Sequence, residues 1–447
     1  ICACLVGSEM CIRDRYRIDP MSELKKVLIV TYYWPPAGGP AIQRTLKFVK
    51  YMRFFGWEPV ILTVENGEYP AIDPSLIQEI PDNIQVYKTK AFQPFQLYRM
   101  LTGKKGNTHN NANVFGQKDK TFVERLAKWI RLNLFIPDAR IGWYAYAVKA
   151  AKKIIEQEHI DLIYSSSPPH SLQLIAQKIA KQNKIKWVAD FRDPWSELVH
   201  YQSYKRTWLT RKIDSHFEKS VFRSADRLVA AANDYATCIK THVDRKIEVI
   251  YNGYDPSDFP KPKSKNTEDF LITYTGELSE DRIPHALLRA LSRLEDSNIK
   301  LQFIGNTCPE LKQEIQQLNL GNKVILKPYM PHIASIAELQ QSDLLLLVIN
   351  QVANGKGIVP GKIFEYLGTR KPILCLGDPT GEAGEIIKTT NSGFCIAHHN
   401  EEEIFILLSR LSSGVLPSLS FQIEQFERKN ETGQLCDIFN TLVNKPS

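Results

Sequence analysis

The sequence lacks an apolar run near the roughly 18 residues that a membrane-spanning helix needs. It also lacks a cysteine framework. Of its eight cysteines, Cys2, Cys4 and Cys11 crowd the start, while Cys238, Cys308, Cys375, Cys395 and Cys436 are scattered and odd in number. That spacing excludes a disulfide scaffold and a zinc site, and it fits buried thiols in a reducing cytoplasm. There is no Asp-x-Asp signature and no His/Cys cluster, so no metal is expected. The first glycine-rich turn holds only Gly38 and Gly39, without the third spaced glycine of a dinucleotide fingerprint, which disfavours a nicotinamide oxidoreductase. Acid is scarce in one place. Between Arg99 and Lys153 there are twelve Lys/Arg against three Asp/Glu, so this segment holds essentially all of the formal net charge of +8. A local basic surplus points to an anionic partner such as a membrane surface. No nucleic-acid module accompanies it, and nucleic acid is not expected.

What is present reads as alternating α and β. At 447 residues the chain exceeds one core and is expected to divide. Residues 1–20 read as a non-native leader, with Met21 a plausible start. Lys25–Val30 reads as a strand, followed by the Trp34–Pro40 glycine turn and a helix from Ala41 to Phe55 closed by Gly56. Further strands are expected at Pro59–Val64, Asp161–Ser167, Lys186–Phe191, Arg227–Ala232 and Lys246–Tyr251. Residues 92–142 interrupt this rhythm as a basic insertion. Its Thr121–Phe135 helix puts Leu126, Trp129 and Ile130 beside Arg125, Lys128 and Arg131, a pattern that suits either a packed helix or one lying on anionic lipid. In a parallel sheet, ligands sit at the carboxyl ends of strands. Gly38, Gly39, His170, Arg192, Asp193 and Asn252 should therefore gather on one rim. Glu65, ending the second strand, reads as a loop acid.

The proline-bearing segment 259–268 reads as a linker between a domain of residues 21–258 and one of residues 269–420. In the second, strands are expected at Phe270–Thr275, Lys300–Ile304, Lys323–Lys327, Leu344–Ile349, Ile373–Leu376 and Gly393–Ile396. A final helical stretch, Phe421–Val443 within 421–447, has no strand after it and should cross back to the first domain. Between Leu344–Ile349 and Ile373–Leu376 lies a Gly/Lys loop that opens a helix near Gly361. Backbone N–H groups and a helix dipole there suit a phosphate. Lys362 adds a full charge, and Glu365, one turn on, has a carboxylate able to accept from vicinal hydroxyls. A phosphate beside a polyol points to a nucleotide sugar. Capping and solvation alone would explain those two residues equally well.

Several spaced features resemble the GT-B glycosyltransferases, closest to family 4: Gly38-Gly39 after strand one, Asn252-Gly-Tyr-Asp255, Thr275-Gly-Glu-Leu-Ser-Glu-Asp-Arg282, and Glu365 with Pro372 seven residues on. Phe191-Arg-Asp-Pro-Trp195 and Pro360-Gly-Lys-Ile-Phe-Glu-Tyr366 look like the branch acting on amino- or deoxy-sugars and lipid-linked acceptors. The resemblance implies two doubly wound Rossmann-like domains facing across a cleft. It also implies retaining, metal-independent transfer from a nucleoside-diphosphate sugar, a UDP-sugar by preference, in cell-surface polysaccharide synthesis such as that of lipopolysaccharide. No cofactor beyond that co-substrate is implied. Arg282 and Lys362 would bind the diphosphate and carry catalysis. Gly38, Gly39, Gly361 and Glu365 would contact the donor, with Tyr329 and Met330 near the base. His170, Arg192 and Asp193 would stand on the side of a lipid-linked or saccharide acceptor. The protein would be cytoplasmic, at the inner face of the plasma membrane. Three positions depart from the pattern: Glu277 replaces an arginine, Arg282 a lysine, and Gly357 the first of two paired glutamates. An epimerase of the same architecture, or a non-catalytic sugar-nucleotide-binding member, are the alternatives.

Overall fold

The computed structural model describes residues 24–65, 67–69, 71–92, 122–195, 206–261, 265, 268–294, 297–352, 355–415 and 418–443. The leader at 1–20, most of the basic insertion and much of the 259–268 segment lie outside them. The chain forms two compact units, one of Ile1–Tyr251 with Glu431–Ser447 and one of Asn252–Asn430. No helix among the described residues is long and apolar enough to cross a membrane.

The first unit is built on a seven-stranded, all-parallel sheet in the order β3-β2-β1-β4-β5-β6-β7. Its strands are β1 Lys25–Val30, β2 Trp57–Val64, β3 Gln85–Thr89, β4 Leu162–Ser167, β5 Lys186–Phe191, β6 Arg227–Ala230 and β7 Ile247–Val249. Helices cover both faces, so central strands such as β1 are continuous apolar runs and not alternating ones. The β3 strand and the Tyr144–Glu158 and Trp208–Ser224 helices are not among the expected elements. The strand order reverses between β1 and β4, which opens a crevice at their carboxyl ends.

One buried charge pair braces this unit. Arg44, on the Pro40–Met52 helix, donates Nε and Nη2 to the two oxygens of Asp190 on β5, each at 2.9 Å. Both side chains are fully buried. Tyr164 and Ser166 donate their hydroxyls to the same carboxylate at 2.7 Å, and Arg44 Nη1 reaches the Tyr251 carbonyl at 2.7 Å. Burial alone would raise the Asp190 pKa; Arg44 and the two hydroxyls reverse that and hold it below the ordinary value. The last helix, Arg428–Val443, lays Phe439 against Trp57 and Tyr164, and Asn440 accepts from Trp57 Nε1 at 3.2 Å.

The second unit repeats the architecture with six parallel strands in the order β10-β9-β8-β11-β12-β13. These are β8 Phe270–Thr275, β9 Ile299–Ile304, β10 Val324–Lys327, β11 Leu344–Val348, β12 Ile373–Leu376 and β13 Gly393–Ile396. Here the order reverses between β8 and β11. Two expected boundaries move. The units part at Tyr251, ahead of the proline-bearing segment, because Tyr254 forms a β-bridge with Glu427 and Phe259 packs on Tyr254 and into the space beside Gly368. The same bridge engages the backbone of 426–428, so the last helix begins at Arg428 and not at Phe421.

The Arg44–Asp190 pair yields the first prediction. Asp190→Asn keeps the shape but strands a buried guanidinium, which costs about 3–5 kcal/mol. Urea unfolding should show a clearly earlier transition; an unmoved midpoint would show the pair to be energetically idle.

Candidate active site

The residues of interest in the second unit converge on its switch point. β8 ends at Thr275 and turns sharply at Gly276, whose φ of +109° few other residues adopt. A Cβ there would lie 2.6 Å from Lys362 Nζ. Gly305, after β9 and at φ +129°, backs the same turn; a Cβ on it would meet the Gly276 carbonyl at 2.5 Å. Two glycines thus make a floor over which a lysine runs. Lys362 opens the eight-residue Lys362–Thr369 helix, whose N-cap Gly361 is exposed and supplies no side-chain cap. The buried Tyr366 hydroxyl fixes this helix to the end of β8 through the Thr275 N–H at 3.1 Å.

A short relay then joins the two cations expected to bind diphosphate. Lys362 Nζ donates to the Tyr274 hydroxyl at 3.0 Å and sits 4.2 Å from the ring centre. Tyr274 donates on to the Glu277 carbonyl at 2.8 Å, and Arg282 Nη1 donates to that carbonyl at 3.3 Å. Arg282 Nε is held by Asn350 Oδ1 at 3.0 Å, just past β11, and Asn350 is braced by Asp281 at 2.6 Å. Neither Lys362 nor Arg282 belongs to an ion pair among the described residues. Burial first, and the Arg282 charge second, pull the Lys362 pKa from 10.5 down to about 8. Glu365 and Glu277 oppose that shift without forming an ion pair with Lys362, and two cations held this close without such a pair are electrostatically prepared for an anion.

Glu365 lies one turn along the same helix. Its carboxylate is 3.9 Å from His332 Nδ1 and faces Lys362, Asp258 and Arg428. Burial raises its pKa, but 39 % of the side chain is exposed, so it keeps its access to solvent. Tyr329, three residues before His332, is 75 % exposed. Gly357 lies buried in the Gly355–Gly357 turn and offers no carboxylate. Tyr274, Asn350, Asp281 and His332 escaped the sequence reading. Tyr274 sits in a strand buried on both faces, where no alternation marks it. Asn350 and Asp281 are 69 residues apart and meet only through the crossover.

The first unit gathers its own candidates separately. Gly38 is buried, gives its N–H to the Ala71 carbonyl at 2.9 Å, and has Asp73 against the place of a Cβ; its close approach is to its own chain. Gly39 is exposed at φ +103° and precedes the Pro40–Met52 helix. His170 ends the turn after β4 and stacks on Trp195 at 4.8 Å. Neither of its ring nitrogens has a hydrogen-bond partner, and burial beside Arg192 pushes its pKa to about 3, so it is neutral at pH 7. Arg192, after β5, donates to the Ser167 carbonyl at 3.3 Å and to that of Pro168, and faces Asp193. The helix after β4 has its N-terminus taken by Asp138, which accepts from Ser171 N at 2.8 Å. That end is closed to a second anion; the Lys362 helix has no such carboxylate. No group of three or more metal-ligating side chains occurs among the described residues.

The lowered Lys362 pKa gives a signed prediction. Nucleoside-diphosphate affinity should hold below pH 8 and fall about tenfold per unit as the lysine discharges above it. Binding near pH 8.5 should take up protons, because the anion restores the charge. For stability alone the sign is opposite: the unfolded lysine binds more protons between about pH 8 and 10.5, so this group favours folding as pH rises through that window. Calorimetric titration with UDP in buffers of different ionisation enthalpy reads both; pH-independent affinity without proton uptake would place the anion elsewhere.

Comparison with known proteins agrees in kind. Residues 112–258 match the model for Glycosyltransferase Family 4, and residues 256–414 match that for glycosyl transferases group 1. No curated protein matches the chain in sequence. Among solved structures, Anabaena HepE in complex with UDP and glucose is 16% identical at a TM-score of 0.57, covering 94% of this chain and 100% of that one. The lipopolysaccharide outer core galactosyltransferase WaaB is 14% identical at 0.57, over 93% of this chain and 100% of its own. A Listeria monocytogenes protein assigned as a UDP-N-acetylglucosamine 2-epimerase is 11% identical at 0.54, over 95% and 98%. These three likenesses are of fold. Together with the adjoining family matches, they make the chain a member of the GT-B glycosyltransferases, family 4.

Proposed function

We propose that this protein is a retaining, metal-independent glycosyltransferase of the hexosyl type. It would move a sugar from a nucleoside diphosphate, UDP above others, to a lipid-linked or saccharide acceptor in cell-surface polysaccharide synthesis. It would work in the cytoplasm at the inner face of the plasma membrane. The observation that carries the reading is the relay from Lys362 through Tyr274 and the Glu277 carbonyl to Arg282, two cations without an ion-pair partner on a glycine floor. HepE with UDP and glucose, and WaaB with its lipopolysaccharide role, support the donor class and the acceptor class in turn.

In the proposed reaction the bond from the anomeric carbon to the diphosphate oxygen breaks. Negative charge grows on the departing diphosphate, and donors fixed at that point lower the barrier most. Lys362, Arg282 and the N–H groups at Gly361 would fill this role and supply the positive field for which a divalent ion is otherwise used. Glu365 would accept from the ribose hydroxyls and Tyr329 would lie along the base. His170, Arg192 and Asp193 would serve the acceptor. As the acceptor oxygen bonds to the anomeric carbon on the same face, its proton passes to the departing phosphate. A His170 held neutral with a pKa of about 3 is a poor base, which fits a transfer that asks none of the protein.

Thermal shift against UDP-, GDP-, TDP- and ADP-sugars tests the donor, with stabilisation by a saturating UDP-sugar expected by mass action. Lys362→Ala and Arg282→Ala should each lower turnover by about 10²–10³ in protein that still unfolds cooperatively. Near-normal rates would remove both residues from the chemistry. Product analysis separates the rival, because an epimerase releases free epimer without transferring sugar.

A further inference from the structure

The basic helix Phe122–Asn133 is not a solitary element. Asn133, buried near its end, accepts from Thr207 N at 2.7 Å and from Thr210 Oγ1 at 3.1 Å, and so ties down the start of the Trp208–Ser224 helix. Leu126 and Trp129 precede Asn133 by seven and four residues and therefore share its face. They are 45 % exposed each; Leu134 is 64 %, Trp208 67 % and Leu209 58 % exposed. Five large apolar side chains thus stand out from the junction of two helices within the first unit. Leu126 and Trp129 are thus left nearly half exposed, more than a fully packed helix face leaves its large apolar side chains.

Among the described residues of these two helices, the exposed charge has one sign. On the Trp208–Ser224 helix both acids are turned inward: Asp214 is 2 % exposed, held by Trp195 Nε1 and Arg206, and Glu218 is 3 % exposed. The cations Arg211, Lys212 and Arg223 are exposed, with Lys212 Nζ 5.0 Å from the Trp208 ring centre. Arg125, on the other helix, is exposed as well. A tryptophan and leucine patch whose exposed charged neighbours on the described parts of these two helices are cations matches the layering of an anionic bilayer, with apolar side chains at the acyl boundary and Lys/Arg at the headgroups. We infer that this two-helix surface, Leu126, Trp129 and Leu134 with Trp208 and Leu209, docks the protein on an anionic lipid bilayer. Its purpose rests on the reading of a lipid-linked acceptor; its geometry does not.

Co-sedimentation of the full chain with phosphatidylcholine vesicles, with and without about a third phosphatidylglycerol, tests this. Wild type should sediment with the anionic vesicles. A Trp129→Ala, Trp208→Ala, Leu209→Ala variant should lose at least about tenfold in partition at any salt concentration. An Arg125→Gln, Arg211→Gln, Lys212→Gln variant should lose about fivefold per charge in low salt and little in high salt. UDP-dependent thermal stabilisation, read on the same preparations, should be unchanged in both variants. It checks that they fold, and its absence in wild type would count against the donor reading alone. Equal partition by wild type and both variants, or no vesicle binding by wild type, overturns the assignment. So does a wild-type dimer in sedimentation velocity that the apolar variant abolishes, since the patch would then be covered by a second copy.

Discussion

A backbone carbonyl, that of Glu277, holds the central arrangement together. Tyr274 and Arg282 both donate to it, and Lys362 leans on Tyr274. Each contact is modest alone, but together they fix two positive groups in half-buried surroundings. Burial, and then the neighbouring Arg282 charge, disfavour the protonated lysine, whose proton is held only to about pH 8. A protein keeps a strained electrostatic arrangement where a ligand relieves it. A diphosphate, with several anionic oxygens, is the natural relief.

The sheet explains why this happens where it does. Strand order reverses at β8 and β11, so the loops leaving those strands diverge and leave backbone accessible. Arg282 comes from the loop after β8, its brace Asn350 from the end of β11, and Lys362 from the helix that follows. The first unit has the same reversal at β1 and β4 but uses it differently. Asp138 occupies the helix end after β4, Gly38 is closed over by residues 71–73, and the polar interior is given to the Arg44–Asp190 brace. Duplicate architecture therefore carries unequal chemistry, and the features proposed to bind the anion lie with the second unit.

Periodicity and turn residues made most of the parallel strands legible, because buried strands between Gly and Pro signals are short apolar runs. Gly276 and Lys362 were legible as a glycine and a cation near helix and strand ends, and Glu365 as an acid one turn on. Less legible were residues whose meaning depends on crossovers: Asn350 beside Asp281, Asn133 beneath Thr207, and Asp138 at Ser171. The edge strand β3, half exposed, carries little apolar signal. Boundaries failed where a single long-range bridge, Tyr254 with Glu427, overrode local helical preference. The substitutions at Glu277 and Gly357 looked in sequence like losses. In the fold the first contributes a carbonyl, which any residue would supply.

The most direct measurement is a crystal structure of the protein with a nucleoside diphosphate bound. Diphosphate oxygens are expected within hydrogen-bond distance of Lys362 Nζ and the Arg282 guanidinium, with ribose hydroxyls on Glu365. A diphosphate bound away from both cations, for example on the Gly39 turn of the first unit, would contradict that expectation.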